Sequence, residues 1–180
     1  MATPSISIGH SGFHVFDMKK MVDFYTTVYG FHVTDHGFVE GRGEVTFMGA
    51  DPRDHHQFVL YEGRTSPSNL VHHNHVSFRV DSLDRLRGIH AALQTYPGIT
   101  RIGPICHGNA WSVYFHDPEE NRSEVFLDTP WYVAQPCGVP LDLSMDDDEI
   151  MRFTEDLIKD DPSKKPFPEW RAEFAEKLGL

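Results

Sequence analysis

Two cysteines in 180 residues, Cys106 and Cys137, provide neither a disulfide framework nor a C-x-x-C site. A reducing cytoplasm is therefore the expected setting. No stretch approaches the roughly 18 uninterrupted apolar residues of a membrane span. The opening MATPSISIGH has no basic n-region and no apolar h-region, so no secretory signal is expected. Positive charge is scarce: 16 Lys and Arg face 27 Asp and Glu, for a formal net charge of −11. Phosphate backbones require a concentrated basic patch, so a nucleic-acid partner is excluded and a small molecule expected. The length leaves no room for a second full domain, since single domains run to about 100–150 residues.

What the chain has in excess is histidine, twelve in all. His32, His36, His72, His73, His90 and His116 read as surface or turn residues. Of the others, all but His107 fall near strand starts, in "GHSGFHVFD", "DHHQFVL" and "NHVSFRVDS". Neutral imidazole is the commonest metal ligand, which makes a metal site the sharper reading.

The segment SISIGHSGFHVF alternates small or polar with apolar residues, the period of a half-buried strand. Asp17 then caps a helix on which Met18, Met21, Val22, Tyr25 and Val28 recur at helical spacing, ending at Gly30. FHVTDHG, GEVTFMG and HHQFVLYE read as three strands separated by turns. After the loop EGRTSPSN the order repeats: strand HNHVSFRV, helix SLDRLRGIHAAL, then ITRIGPIC, AWSVYFHD and RSEVFLD. A constant offset of 65 residues puts His75 on His10, Phe78 on Phe13 and Val80 on Val15, which points to a duplicated unit. The fold class expected is α+β, two tandem βαβββ units forming one module over residues 1–130, with a tail of two short helices over 131–180.

In that tail, TPWYVAQPCGVPLDL reads as Pro-punctuated coil. SMDDDEIMRFTEDLIK reads as a helix capped by Ser144, with acidic residues in its first turn where the macrodipole favours them. PEWRAEFAEKL reads as the last helix. Ile150, Phe153, Leu157 and Ile158 form one apolar stripe, and Phe167, Trp170, Phe174 and Leu178 a second. Such stripes need a surface, either the chain's own sheet or a second copy, so a homo-oligomer is expected.

A lone strand histidine is more often a satisfied core residue. Two at equivalent places in a repeat, His10 and His75, are less easily dismissed. Glu124 interrupts an otherwise apolar last strand, and a buried carboxylate is costly unless it is paired or metal-bound. His, His and Glu make a facial set that leaves open positions on an octahedral ion.

The stretch GHSGFHVFDMKKMVDFYTTVYGF resembles the opening of the vicinal oxygen chelate superfamily, and the chain resembles its single-module type I extradiol catechol dioxygenases over about residues 5–130. The resemblance implies ring cleavage of a catechol by dioxygen at a mononuclear Fe(II), with Mn(II) as the alternative ion. Its ligand positions fall on His10, His75 and Glu124. Its acid–base histidine ends a His-His pair opening the fourth strand, here His56, which leaves His55 a positional role. Its tyrosine lies ten residues before the ligand glutamate, here Tyr114, a donor to a substrate oxygen. Its further pocket histidine falls on His107. The loop before the second ligand is longer than the family's, and the segment from His107 to Tyr114 is shorter.

Three rivals share the fold. A glyoxalase-like isomerase needs a fourth ligand at the first-half equivalent of Glu124, which is Val59; nearby Glu62 has the opposite strand parity. A fosfomycin-type thiol transferase shares the triad without needing His56 and Tyr114. A metal-free ligand-binding protein has no reason to keep the ligands. Phe47, Phe58, Trp111, Phe126 and Trp131 are the candidates to line an aromatic pocket.

Overall fold

The computed structural model describes residues 10–40, 43–51, 55–65 and 75–178, with the side chains of 177 and 178 left aside. Ser5–Gly9, Asp54, Ser66–Asn69, His72, His73 and Asn74 lie outside the described residues, as does the side chain of Leu178. In the first half, β1 (Ser11–Val15) leads to α1 (Met18–Phe24), which widens into a π-helical turn over Tyr25–Tyr29. β2 (His32–Val39), β3 (Gly43–Gly49) and β4 (Phe58–Glu62) follow. The second half runs β5 (Val76–Arg79), α2 (Leu83–Thr95), β6 (Thr100–Cys106), β7 (Ala110–His116) and β8 (Arg122–Asp128). The chain is thus α+β, and the βαβββ order occurs twice.

Local chemistry sets the helix ends. Asp17 accepts from the Lys20 N–H at 3.0 Å, and Gly30, at φ +76°, supplies the left-handed residue that stops the first helix. Ser82 caps α2 by accepting from the Arg85 N–H. Leu83, Leu86, Ile89 and Leu93 form the buried stripe of α2.

One sheet has the order β1-β4-β3-β2, and the other contains β6-β7-β8-β5. β1 lies parallel to β4 with Ser11 opposite Phe58, and β5 lies parallel to β8 with Val76 opposite Ser123. Both partners of the second pair stand 65 residues beyond those of the first, so the sequence repeat is a repeat of register.

Helices and sheets close over an aromatic core of Phe24, Tyr25, Tyr29, Phe31, Phe58, Phe78 and Phe115, several in edge-to-face contact. Each fully buried ring of this kind contributes about 2–3 kcal/mol through removal of apolar area from water. A buried polar clasp joins the halves. Glu119, 1 % exposed, accepts from the backbone N–H groups of Phe16 and Asp17 and stands 3.7 Å from the Arg64 guanidinium. Asp117, fully buried beside it, accepts from the N–H groups of Glu119 and Asn121 and from the Asn121 amide. Burial raises the Asp117 carboxyl to about 6, against the pull of the Asn121 and Glu119 donors.

The tail differs from the expected coil. Trp131–Tyr132 (β9) pairs with Lys165–Pro166 (β11), and Val139–Pro140 (β10) extends the second sheet at β6. Two-residue strands have no periodicity to betray them. The third helix, α3 (Asp147–Ile158), is capped by Asp146 rather than Ser144. The Ser144 N–H is held by the Asp142 side chain in the preceding turn, while Asp146 and Glu149 form a reciprocal capping box. Asp147, Asp148 and Glu149 occupy its first turn, as the charge pattern suggested. Ile150 and Ile158 are buried, and Thr154 accepts from the Trp111 indole at 2.7 Å, so α3 packs on the molecule's own sheet. The last helix, α4 (Phe167–Leu178), carries a ladder of stacked rings, Tyr132, Trp170 and Phe174, whose outer member is 45 % exposed. No described helix is long and apolar enough to cross a membrane.

Candidate metal and substrate site

Register decides which side chains share a face. Tyr114 on β7 lies opposite Glu124 on β8, and Glu124 lies opposite Ser77 on β5, so all three point to one side of the second sheet. His75, two residues before Ser77, has the same parity. The first-sheet counterparts are Gly12 opposite Val59, and Phe47 opposite Val59. The repeat therefore carries polar chemistry in its second half and its apolar echo in the first.

His75 Nε2 stands 3.3 Å from Glu124 Oε2. Ligand bonds of about 2.1 Å at a right angle put neighbouring donors about 3 Å apart, so this pair fits two positions of one divalent ion. Glu124 is buried and takes a short hydrogen bond from the Ser77 hydroxyl. Burial pushes its carboxyl up, but Ser77, Ser112, Tyr114 and the His75 ring outweigh it and hold the group below the usual carboxylate range. The buried Ser112 hydroxyl faces this carboxylate without closing a full hydrogen bond. The anion is thus the favoured form, as a ligand must be.

His10 lines the same cleft as His75 and Ser77, but its ring rests on His56, with centroids 4.5 Å apart. Among the described residues no three His, Cys, Asp or Glu side chains close into a ready metal shell. The structure brings together two of the three expected ligands and sets the third beside His56.

His56 sits in the loop just before β4, against the edge of Phe47 at 5.0 Å. Its Nδ1 meets His55 Nδ1 at 3.0 Å, and His55 Nε2 lies 3.7 Å from the Asp35 carboxylate. Tyr114 and His107 are joined, hydroxyl to Nε2, at 3.2 Å. The other His107 nitrogen, Nδ1, lies 2.5 Å from the Cys137 carbonyl, which only accepts. Nδ1 must carry the proton, so a neutral His107 accepts at Nε2 and the Tyr114 hydroxyl donates to it. Burial, with the Glu124 carboxylate nearby, raises the Tyr114 hydroxyl well above its usual range, while Arg122 over the ring acts the other way.

Phe58 and Trp111 do not line this site. Phe58 packs against Phe13 and Tyr25 in the core, and Trp111 is buried against α3. Phe47 stands at His56, and Phe126 shares the parity of Glu124. Trp131 is half-buried beneath the Lys164 ammonium. Glu62 is exposed and accepts from the Glu44 N–H, out of the cleft, as its parity required. Ser77 and the Cys137 carbonyl are the parts that sequence reading missed. Ser77 could have been found, two residues from His75 on the same face; a backbone carbonyl 30 residues from the ring it holds leaves no signal.

Residues 7–125 match the model of the glyoxalase/bleomycin resistance protein/dioxygenase superfamily, and the chain belongs to that superfamily, the vicinal oxygen chelate proteins. A biphenyl-2,3-diol 1,2-dioxygenase 2 from Rhodococcus globerulus is 29 % identical over 158 residues, covering 78 % of each chain. Among solved structures, a glyoxylase/bleomycin resistance protein/dioxygenase domain from Frankia sp. EAN1pec superposes with a TM-score of 0.60 at 19 % identity, covering 70 % of this chain and all of that one. The fosfomycin resistance protein FosX from Listeria monocytogenes, complexed with Mn(II) and sulfate, gives 0.51 at 17 % identity, covering 68 % and 93 %. These structural likenesses establish the fold.

Proposed function

We propose that the protein is an extradiol dioxygenase that opens a catechol ring with dioxygen at a single Fe(II), or Mn(II), held by His10, His75 and Glu124. The observation that carries this reading is the hydrogen-bonded Tyr114–His107 pair standing beside Glu124 on the face it shares with His75. The dioxygenase relative supports the same chemistry. An isomerase of this fold would require a fourth ligand, and the position that would supply it is the buried, apolar Val59.

When bound, the ion would hold two adjacent phenol oxygens together with dioxygen and supply the redox chemistry. The chain's own residues manage position and protons. His56, beside His10, takes a phenol proton and returns one to an oxygen later in the reaction, as an imidazole general acid–base can. With its one proton shared between His107 and the Glu124 carboxylate, Tyr114 offers lone pairs to a catechol hydroxyl, so it accepts from substrate where the resemblance implied a donor. His107, held by the tail, fixes that orientation. Ser77 keeps Glu124 aimed at the cleft.

Purification under anaerobic conditions with Fe(II), followed by oxygenation with a panel of catechols, tests the reading. A yellow ring-fission product is the expected result. Full metal occupancy with no product from any catechol would overturn it.

A further inference from the structure

We propose that Arg79 selects catechols carrying a short carboxylate side chain; the inference rests on the ring-cleavage reading and adds the substrate class. Arg79 lines the same cleft as His10, His75 and Ser77, and lies opposite Phe126, one step along the strand from the Ser77–Glu124 pair. Alternate residues on a strand are about 6.7 Å apart. A ring anchored beside Glu124 therefore brings a two- or three-atom substituent to Arg79.

The guanidinium lies over the Phe126 ring, 4.8 Å from its centroid. Its Nε is 3.5 Å from Asp128 Oδ2. That same oxygen receives Arg171 at 2.9 Å, the closer and better-placed partner. One carboxylate between two guanidinium groups leaves this triad with one excess positive charge. Asp128 is the sole ion-pair partner of Arg79 among the described residues, and its two terminal nitrogens make no bond there. They form the planar fork that matches a carboxylate with two parallel hydrogen bonds. Phe126 beneath them offers an apolar wall to the connecting carbons.

The test compares 3-(2,3-dihydroxyphenyl)propanoate with its methyl ester, equal in shape and different in charge. Binding to the Fe(II)-loaded protein is measured anaerobically by calorimetry, and turnover separately in oxygen. The acid should bind about five- to tenfold more tightly than the ester, the factor of one charge-assisted pair at a half-open site. Arg79→Met, which keeps the alkyl stem, should bring that ratio to about one, and Arg79→Lys should restore part of it. Asp128→Asn removes the competing carboxylate and should raise it. Equal binding of acid and ester, no binding of either, an unchanged ratio in Arg79→Met or a lowered ratio in Asp128→Asn would each overturn the proposal. A ratio that follows these variants without ring opening would support the anion preference and overturn ring cleavage instead.

Discussion

At the residue scale the site rests on Glu124, whose burial and charge need a partner. Glu124→Ala should reduce Fe(II) from about one per chain to a small fraction in a stoichiometry measurement, because two histidines alone hold the ion weakly. His56 lies off the repeat-related ligand positions, so His56→Phe should retain iron and bind catechol while turnover falls about 10²- to 10⁴-fold, the usual loss for an acid–base group. Loss of iron in that variant would make His56 a ligand. Asp117 offers a pH signature away from the site. Its folded carboxyl titrates near 6, above the usual 3.8, so the native state binds the extra proton and stability falls as pH rises from about 4 to about 6. Urea titrations at pH 4 and 7 should show the wild type losing up to about 3 kcal/mol relative to Asp117→Asn over that interval, about two pKa units at 1.4 kcal/mol each.

At the element scale, legibility followed locality. β3 and β8 have the bounds that their alternation and turns indicated, and the first helix begins at the cap read from Asp17. Asp146 displaced Ser144 because a capping box needs Glu149 three residues on, a pairing the serine lacks. Trp111 was placed in the pocket although its parity opposes that of Tyr114; period two already turned it toward α3. The candidate site was read through the repeat, which paired His10 with His75 and Glu124 with Val59, and the structure brings His75 and Glu124 together while His10 rests on His56. The engagement of Tyr114 by His107, and of His107 by Cys137, was not, because it depends on how the tail returns. The Glu119 clasp was equally hidden, since its two backbone donors are more than 100 residues away. Glu119→Ala leaves two backbone donors and a guanidinium without their carboxylate, and should cost about 3–5 kcal/mol in urea unfolding.

For the whole molecule, the tail is part of the structure rather than an appendage. Truncation after Pro130 would uncover Trp111 and Cys106, remove β10 and free the His107 ring. The expected outcome is loss of soluble protein, and weaker selectivity among catechols in whatever fraction survives, measured by yield and by kcat/KM ratios. A soluble, monodisperse and equally selective truncation would show that the tail has neither role. The half-uncovered ladder on α4 is the surface on which we propose that two copies meet. Truncation after Lys164 should then give a folded monomer by sedimentation while the full chain runs as a dimer.

The two parallel strand pairs also bear on the order in which the chain assembles. Each pair closes over the same number of residues, so the halves face equal entropy of loop closure and have no built-in order of formation. His10 belongs to one half, and His75 and Glu124 to the other. On the proposed ligand set the complete shell needs both halves, so full capture of the ion reports their docking. Stopped-flow refolding with and without Fe(II) should therefore give the same early phase, with the metal altering only the last step.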